Sequence, residues 1–355
     1  MTISINLALQ GGGAHGAFTW GALDRVLEDD SIDIEGITAT SAGAMNAIAL
    51  KHGWVKDGRD GARAWLERFW HRVAGFDGAI GEEMLGWLRV VWPSPAVTAR
   101  MLEFSPAVIA GDAITQVFSP YQFNPTNYHP LRAIVAEMAE TGCAASTRGP
   151  KLFVSATNVR DGKPRIFRGH EITTDAILAS ACLPTLYQAI EIDDPRTGRR
   201  EAYWDGGYMG NPALYPLHYH TRSNDIVIIH INPLYREELP RTSAEIISRI
   251  NEITFNASLL RELREIKFVN RLIREGTLPE TRMKRNFIHS VSDDTLMNQL
   301  GLTTKLAISR TLILQLRDAG RAAMDRFLAE HRDQIGRTSS VDLERVVAPA
   351  GSVVA

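Results

Sequence analysis

Cysteine is scarce in this sequence: Cys143 and Cys182 are the only two in 355 residues. They stand in no metal-ligand spacing and cannot build a disulfide framework, which suits a reducing compartment. Charge of one sign is lacking too. A formal net charge of -2 leaves no global field to recruit nucleic acid or an anionic surface. No apolar run approaches the roughly 20 residues of a membrane-spanning helix. There is no internal repeat, and low complexity is confined to a short tail, residues 336–355, expected to fray or dock loosely. Met1 to Asn6 run straight into an apolar strand, without the basic flank and cleavage site of a leader, which predicts a cytoplasmic protein. What is present, 45% hydrophobic and 23% charged residues, is the balance of a globular chain long enough to bury a large core.

Periodicity predicts an alternation of strands and helices. Strands are expected at Ile3 to Leu9, Ile34 to Ala39, Leu152 to Thr157, Ile226 to Ile231 and Asn286 to Val291. Helices are expected at Ala17 to Leu27, Met45 to Lys51, Thr174 to Cys182, Ala244 to Arg274 (with breaks) and Leu302 to Glu330. Such alternation implies an α/β fold with a mainly parallel sheet. Gln188 to Asp193 and Glu201 to Trp204, joined by Asp194-Pro195-Arg196-Thr197-Gly198, read as a hairpin at its edge.

The first strand runs into Gln10-Gly11-Gly12-Gly13-Ala14-His15-Gly16. Gly11-x-Gly13-x-x-Gly16 between strand and helix matches a dinucleotide fingerprint, but the second strand ends in Ala39-Thr40-Ser41, without the carboxylate that would hold a ribose. A P-loop is excluded because no Gly-Lys-Ser/Thr follows. The second strand instead ends in an elbow. Ala39-Thr40-Ser41-Ala42-Gly43 is one residue from Gly-x-Ser-x-Gly, a tight strand-to-helix turn that exposes a serine oxygen at a helix N-terminus. A plain serine N-cap is the alternative. The amides of Gly11 to Gly13, with that of Ala42, can meet the oxyanion formed when a carbonyl is attacked. A serine nucleophile needs a base, and Asp205 before Gly206-Gly207 offers a carboxylate at a strand end. An Asp-Gly hairpin turn is the bland reading of that segment.

Taken in order, the glycine loop, Ala39-Thr40-Ser41-Ala42-Gly43 and Asp205-Gly206-Gly207 resemble the three blocks of the patatin-like phospholipase family, over roughly residues 5–235. Ala179-Ser180-Ala181-Cys182-Leu183-Pro184 and Asn211-Pro212 resemble its bacterial members. The resemblance implies a three-layer α/β fold and a lipid acyl hydrolase that works without metal or organic cofactor. Ser41 would be the nucleophile, Asp205 the base, and Gly12 and Gly13 the oxyanion hole. It also implies one catalytic domain over 1–335, with a helical insertion or lid at 54–127 and a helical part at 240–335. Ala39 departs from the elbow's first glycine. His15 stands where many members carry Arg or Lys, a pH-dependent cation able to support the loop or a headgroup. A triad through His15 is the less favoured reading.

Around this centre the readings are coarser. Trp54, Trp65, Trp70, Trp87 and Trp92 mark a segment that either lines an acyl-chain channel or belongs to the core. Arg261, Arg264, Lys267, Arg271 and Arg274 form a helical stripe, read as a solvated face paired with Glu262 and Glu265 or as a lipid-docking face. His230 and His289 are expected as core residues, and Cys182 as a packed thiol. The expected partner is a lipid or acyl-ester substrate, with peripheral membrane contact allowed and no nucleic acid. A polyester or thioester substrate on the same fold, and a non-enzymatic lipid or nucleotide binder, are the alternatives.

Overall fold

The computed structural model describes residues 2–75, 118–306 and 308–348. Its centre is an eight-stranded sheet, ordered β5-β6-β3-β2-β1-β7-β8 with β4 beside β3. In chain order the strands are β1 (Ile3–Leu9), β2 (Ile32–Ala39), β3 (Lys151–Asn158), β4 (Pro164–Arg168), β5 (Ile190–Asp194), β6 (Arg199–Asp205), β7 (Asp225–Ile229) and β8 (Phe287–Val291). The stretch β3-β2-β1-β7-β8 is parallel, while β4, β5 and β6 join antiparallel. Near-continuous apolar sequence explains the parallel part: Leu7, Ala8 and Leu9 of β1, and every residue of β7, are buried, as strands covered on both faces must be. The periodicity alone does not reveal β4, whose Pro-Arg-Ile-Phe-Arg holds two charges. Buried Arg165 is made tolerable there by Asp194 (2.7 Å) and Glu171 (2.8 Å).

Helices cover both faces. α1 (Gly16–Leu27) follows β1 and α2 (Ala42–Val73) follows β2, with a kink where Asp57 and Gly58 leave helical geometry. α3 (Thr174–Ser180) precedes the β5–β6 hairpin, and α4 (Ser243–Arg274) is one uninterrupted helix begun by a Thr242–Glu245 capping box. The helix expected at Leu302 to Glu330 is divided into α5 (Leu302–Leu306) and α6 (Arg310–His331), because Ser309 is extended and caps α6 through Leu312 N. In the tail, α7 (Leu343–Val347) buries Val347, and Ser339 Oγ accepts from Ile288 N.

Of the tryptophans, Trp70 is buried, stacks on Trp20 at 6.5 Å and donates to Asn46 Oδ1. Trp54 and Trp65 pack partly buried against the main core. Of the helical insertion or lid expected at 54–127, residues 76–117, with Trp87 and Trp92, lie outside the described residues. No described helix is long and apolar enough to cross a membrane.

α1, which carries the glycine loop at its start, is held by α6 at very short range. A Cβ at Gly21 would stand 1.8 Å from Arg317 O, and one at Gly320 would stand 1.9 Å from Phe18 O. Alanine normally stabilises a helix over glycine by about 1 kcal/mol, yet here the backbones would have to part. Gly320→Ala should therefore destabilise the protein by about 1–3 kcal/mol, seen as a lower denaturant midpoint; an unchanged or higher midpoint contradicts the close crossing.

Candidate active site

β1 and β2 are parallel neighbours with Leu9 opposite Ala39, so the turns that follow them open on one edge of the sheet. The second turn is strained where the chemistry needs it. Ser41 has φ 54 and ψ -122, and Ser41 and Asn127 are the non-glycine residues with positive φ among those described. Because the left-handed turn falls on Ser41, Ala39 remains an ordinary ladder residue between Leu9 and Val154 and tolerates its Cβ. Gly43 has no such freedom: a Cβ there would lie 2.4 Å from Leu9 O. Ser180 Oγ accepts the Ser41 N–H at 2.9 Å, and Thr40 Oγ1 donates to Gly210 O at 2.6 Å.

Asp205 comes to the same edge from β6. Its N–H donates to Cys182 O (2.8 Å), its carbonyl accepts from Thr157 Oγ1 (2.8 Å), and Oδ1 accepts from Gly207 N (2.7 Å). Gly206 allows this approach, since a Cβ there would meet Ser155 O at 2.2 Å. The carboxyl is fully buried, and that burial pushes its pKa up to about 7; the Gly207 amide and then the Ser41 hydroxyl pull it down. Oδ2 has no partner in good bonding geometry among the described residues. Ser41 thus stands beside the carboxyl as a neighbour whose hydroxyl lowers its pKa. Ser41 itself is 7% exposed.

The glycine loop lies against the serine, with a Gly11 Cβ only 2.5 Å from Ser41 Cβ. One sequence expectation needs correction here. Gly11 N–H is already bonded to Asn211 Oδ1 at 2.6 Å, so it cannot serve an oxyanion. The amides of Gly12, Gly13 and Ala42 have no acceptor among the described residues, and they remain as donors. Beside one local bond, from His15 N to Gly12 O at 3.2 Å, the loop is held from far along the chain. Asn232 Nδ2 donates to Gly11 O (2.7 Å), Gln10 Oε1 accepts from Ile231 N and Asn232 N (2.9 and 3.0 Å), and Gln10 Nε2 reaches Asn256 Oδ1 (3.2 Å). Lys305 Nζ donates to Asn232 Oδ1 (2.7 Å), and Lys305 O would touch a Gly13 Cβ at 2.1 Å, so α5 lies directly on the loop.

The expected cation at His15 is also corrected. His15 is 1% exposed and hydrogen-bonds Thr304 Oγ1 at 2.8 Å. Burial, reinforced by the charges of Lys305 and Arg236, holds its pKa well below the usual value, so the ring is neutral and braces the loop without reaching a headgroup. The titratable group beside Ser41 is Asp205, not His15. Cys182 is fully buried, its pKa pushed up to about 12 by burial and by the Asp205 charge. His289 bonds Asp225 at 3.0 Å within the core, and His230 is buried with its pKa lowered to about 4. Concavities of about 350 Å³ at Leu239 and Thr242 and about 220 Å³ beside Ala139 and His170 do not include Ser41 or Asp205.

Ser180 and Asn211 lie in the two stretches that resemble the bacterial members, whereas no local pattern marks Asn232 and Lys305; together they hold the elbow and the loop in place. Asn211→Ala should lower kcat about 10²-fold with little change in KM, because Gly11 is released beside the amides of Gly12 and Gly13, the candidate oxyanion donors. Asn211→Asp, which keeps an acceptor oxygen, should recover part of the loss. Equal losses in both variants, or a loss in KM alone, would show that Asn211 does not position the loop.

The patatin-like phospholipase family model matches residues 7–218, which include the glycine loop, the elbow and Asp205. A similar solved structure is that of VipD from Legionella pneumophila, at 14% identity and a TM-score of 0.42, covering 92% of this chain and 67% of that one. Comparison with curated proteins gives no match. With its strand–glycine loop–helix start and its family match over more than half its length, the chain belongs to the patatin-like phospholipase family, a family of lipid acyl hydrolases.

Proposed function

We propose that the protein hydrolyses carboxylic ester bonds of phospholipids or related lipids through a Ser41–Asp205 dyad. The observation that carries this reading is a serine held at φ 54 next to a buried carboxyl whose pKa is near neutrality. An ordinary N-cap serine needs neither the strain nor the carboxyl. A carboxyl with a pKa of about 7 is a far better proton acceptor than one at its usual value.

In the first half-reaction Asp205 takes the Ser41 proton as Oγ attacks the ester carbonyl. The carbonyl oxygen becomes an oxyanion facing the Gly12, Gly13 and Ala42 amides, with the positive end of α2 behind it. Collapse breaks the ester bond, and the proton on Asp205 passes to the departing alcohol. An acyl group now rests on Ser41. Asp205 next takes a proton from water, whose oxygen attacks the acyl carbon. The second collapse releases the fatty acid and returns the proton to Ser41.

A fluorophosphonate probe should label the wild-type protein and leave Ser41→Ala unlabelled. Ser41→Ala and Asp205→Asn should each lower kcat by at least about 10⁴-fold. Labelling that persists in Ser41→Ala would defeat the assignment.

The pH dependence has two opposed signs. Catalysis needs the ionised carboxylate, so kcat/KM should rise as pH climbs through about 7. Stability runs the other way. The folded pKa of Asp205 lies above its unfolded value of about 3.9, so its contribution is complete below that value and is lost as pH rises through about 7. Asp205→Asn should flatten that decline in denaturation measurements. A decline identical to wild type would mean that Asp205 does not titrate there.

A further inference from the structure

We infer that the outer face of α4 docks on an anionic lipid bilayer; this deepens the proposed lipid hydrolase and rests on that reading. The inner face of α4 is spoken for. Leu259, Leu263 and Ile266 are buried, Phe255 lies where a Gly207 Cβ would come within 2.8 Å, Asn256 bonds Gln10, and Ser258 Oγ accepts from Asn211 N at 3.3 Å. The opposite face is apolar as well. Ile246, Ile250 and Ile253 are 43%, 56% and 55% exposed. At 3.6 residues per turn, these three lie within about 60° of one another. A single exposed isoleucine needs no explanation, whereas three in line on a helix already apolar inside mark a contact surface.

The same line continues into charge. Arg261, Arg264 and Arg271 follow along that face and are exposed, with all six positions within about 80° on the wheel. The pairing expected for them from sequence fails. Glu262 is turned inward, where its carboxylate accepts from Leu214 N and Tyr215 N at 2.8 Å each. Arg261 and Arg264 have no ion pair among the described residues, and Arg271 meets Glu275 at 4.0 Å and lies over the Phe268 ring at 5.3 Å. Isoleucines followed by unpaired arginines suit an interface offering hydrocarbon and phosphate side by side. A second copy of the chain would bring arginines toward arginines, and Glu275 at the end of that face already stands beside Arg271. Because the inner face of the same helix touches the glycine loop and Gly207, docking would set Ser41 close to the lipid.

Binding is best read in a Ser41→Ala background, where it does not depend on hydrolysis. That protein should co-sediment with vesicles of phosphatidylcholine mixed with phosphatidylglycerol, and more weakly with phosphatidylcholine alone. Replacing both Ile250 and Ile253 by Gln should weaken binding to both vesicle types by at least about tenfold. Replacing both Arg261 and Arg264 by Gln should weaken binding to the anionic vesicles about 30-fold and remove most of its salt dependence. With Ser41 present, both double variants should hydrolyse a soluble short-chain ester at the wild-type rate. Unchanged vesicle binding in both variants, or none in the parent, overturns the proposal. So does a dimer in light scattering that the isoleucine replacements convert to monomer, which would make a second copy the occupant. A wild-type protein that binds vesicles yet cleaves no ester would instead refute the hydrolase and leave the docking face standing.

Discussion

A carboxylate taken wholly out of water must find donors or keep its proton, and Asp205 is poised between these outcomes. One backbone amide answers Oδ1, a serine hydroxyl stands near, and Oδ2 has no well-formed bond among the described residues. Full satisfaction would leave a weak base with an ordinary pKa, and no donors at all would leave a permanently neutral acid. The intermediate condition depends on the sheet. Only the meeting of β6 with β3, and of Gly206 with Ser155 O, brings this group to the edge where β1 and β2 end.

The same economy governs the glycine loop. Two of its amides have no acceptor among the described residues, and unused amides do not hold a loop in place. The structure divides the tasks within three residues. Gly11 is bound at both its N–H and its C=O by asparagines, while the amides of Gly12 and Gly13 have no acceptor among the described residues. Rigidity is thus supplied by a neighbour so that function can be left unsatisfied. His15 belongs to the supporting side of this division, neutral and tied to Thr304.

Much of this was legible in the sequence because the relevant signals are local. The parallel strands announce themselves as short apolar runs, and the glycine loop and elbow are tight turns whose residue types are dictated by backbone space. Ser41 and Asp205 stand out for that reason. What stayed hidden is non-local. Asn211 stood in a recognised pair, but its bond to Gly11, like the contacts of Asn232 and Lys305, arises only when the chain closes on itself. The inward turn of Glu262 is equally invisible, since helical spacing alone pairs it with nearby arginines. β4 was lost because a buried arginine breaks the apolar pattern that identifies a strand.

The order of the parts along the chain carries a consequence for biogenesis. During synthesis Ser41 and the glycines leave the ribosome first, while Asp205, the asparagine that grips Gly11 and the lysine of α5 arrive 164, 170 and 264 residues after Ser41. A nascent or truncated chain therefore carries a serine with nothing to activate it and a loop with nothing to shape it. With the proposed dyad, competence would arrive only with closure of the last contacts.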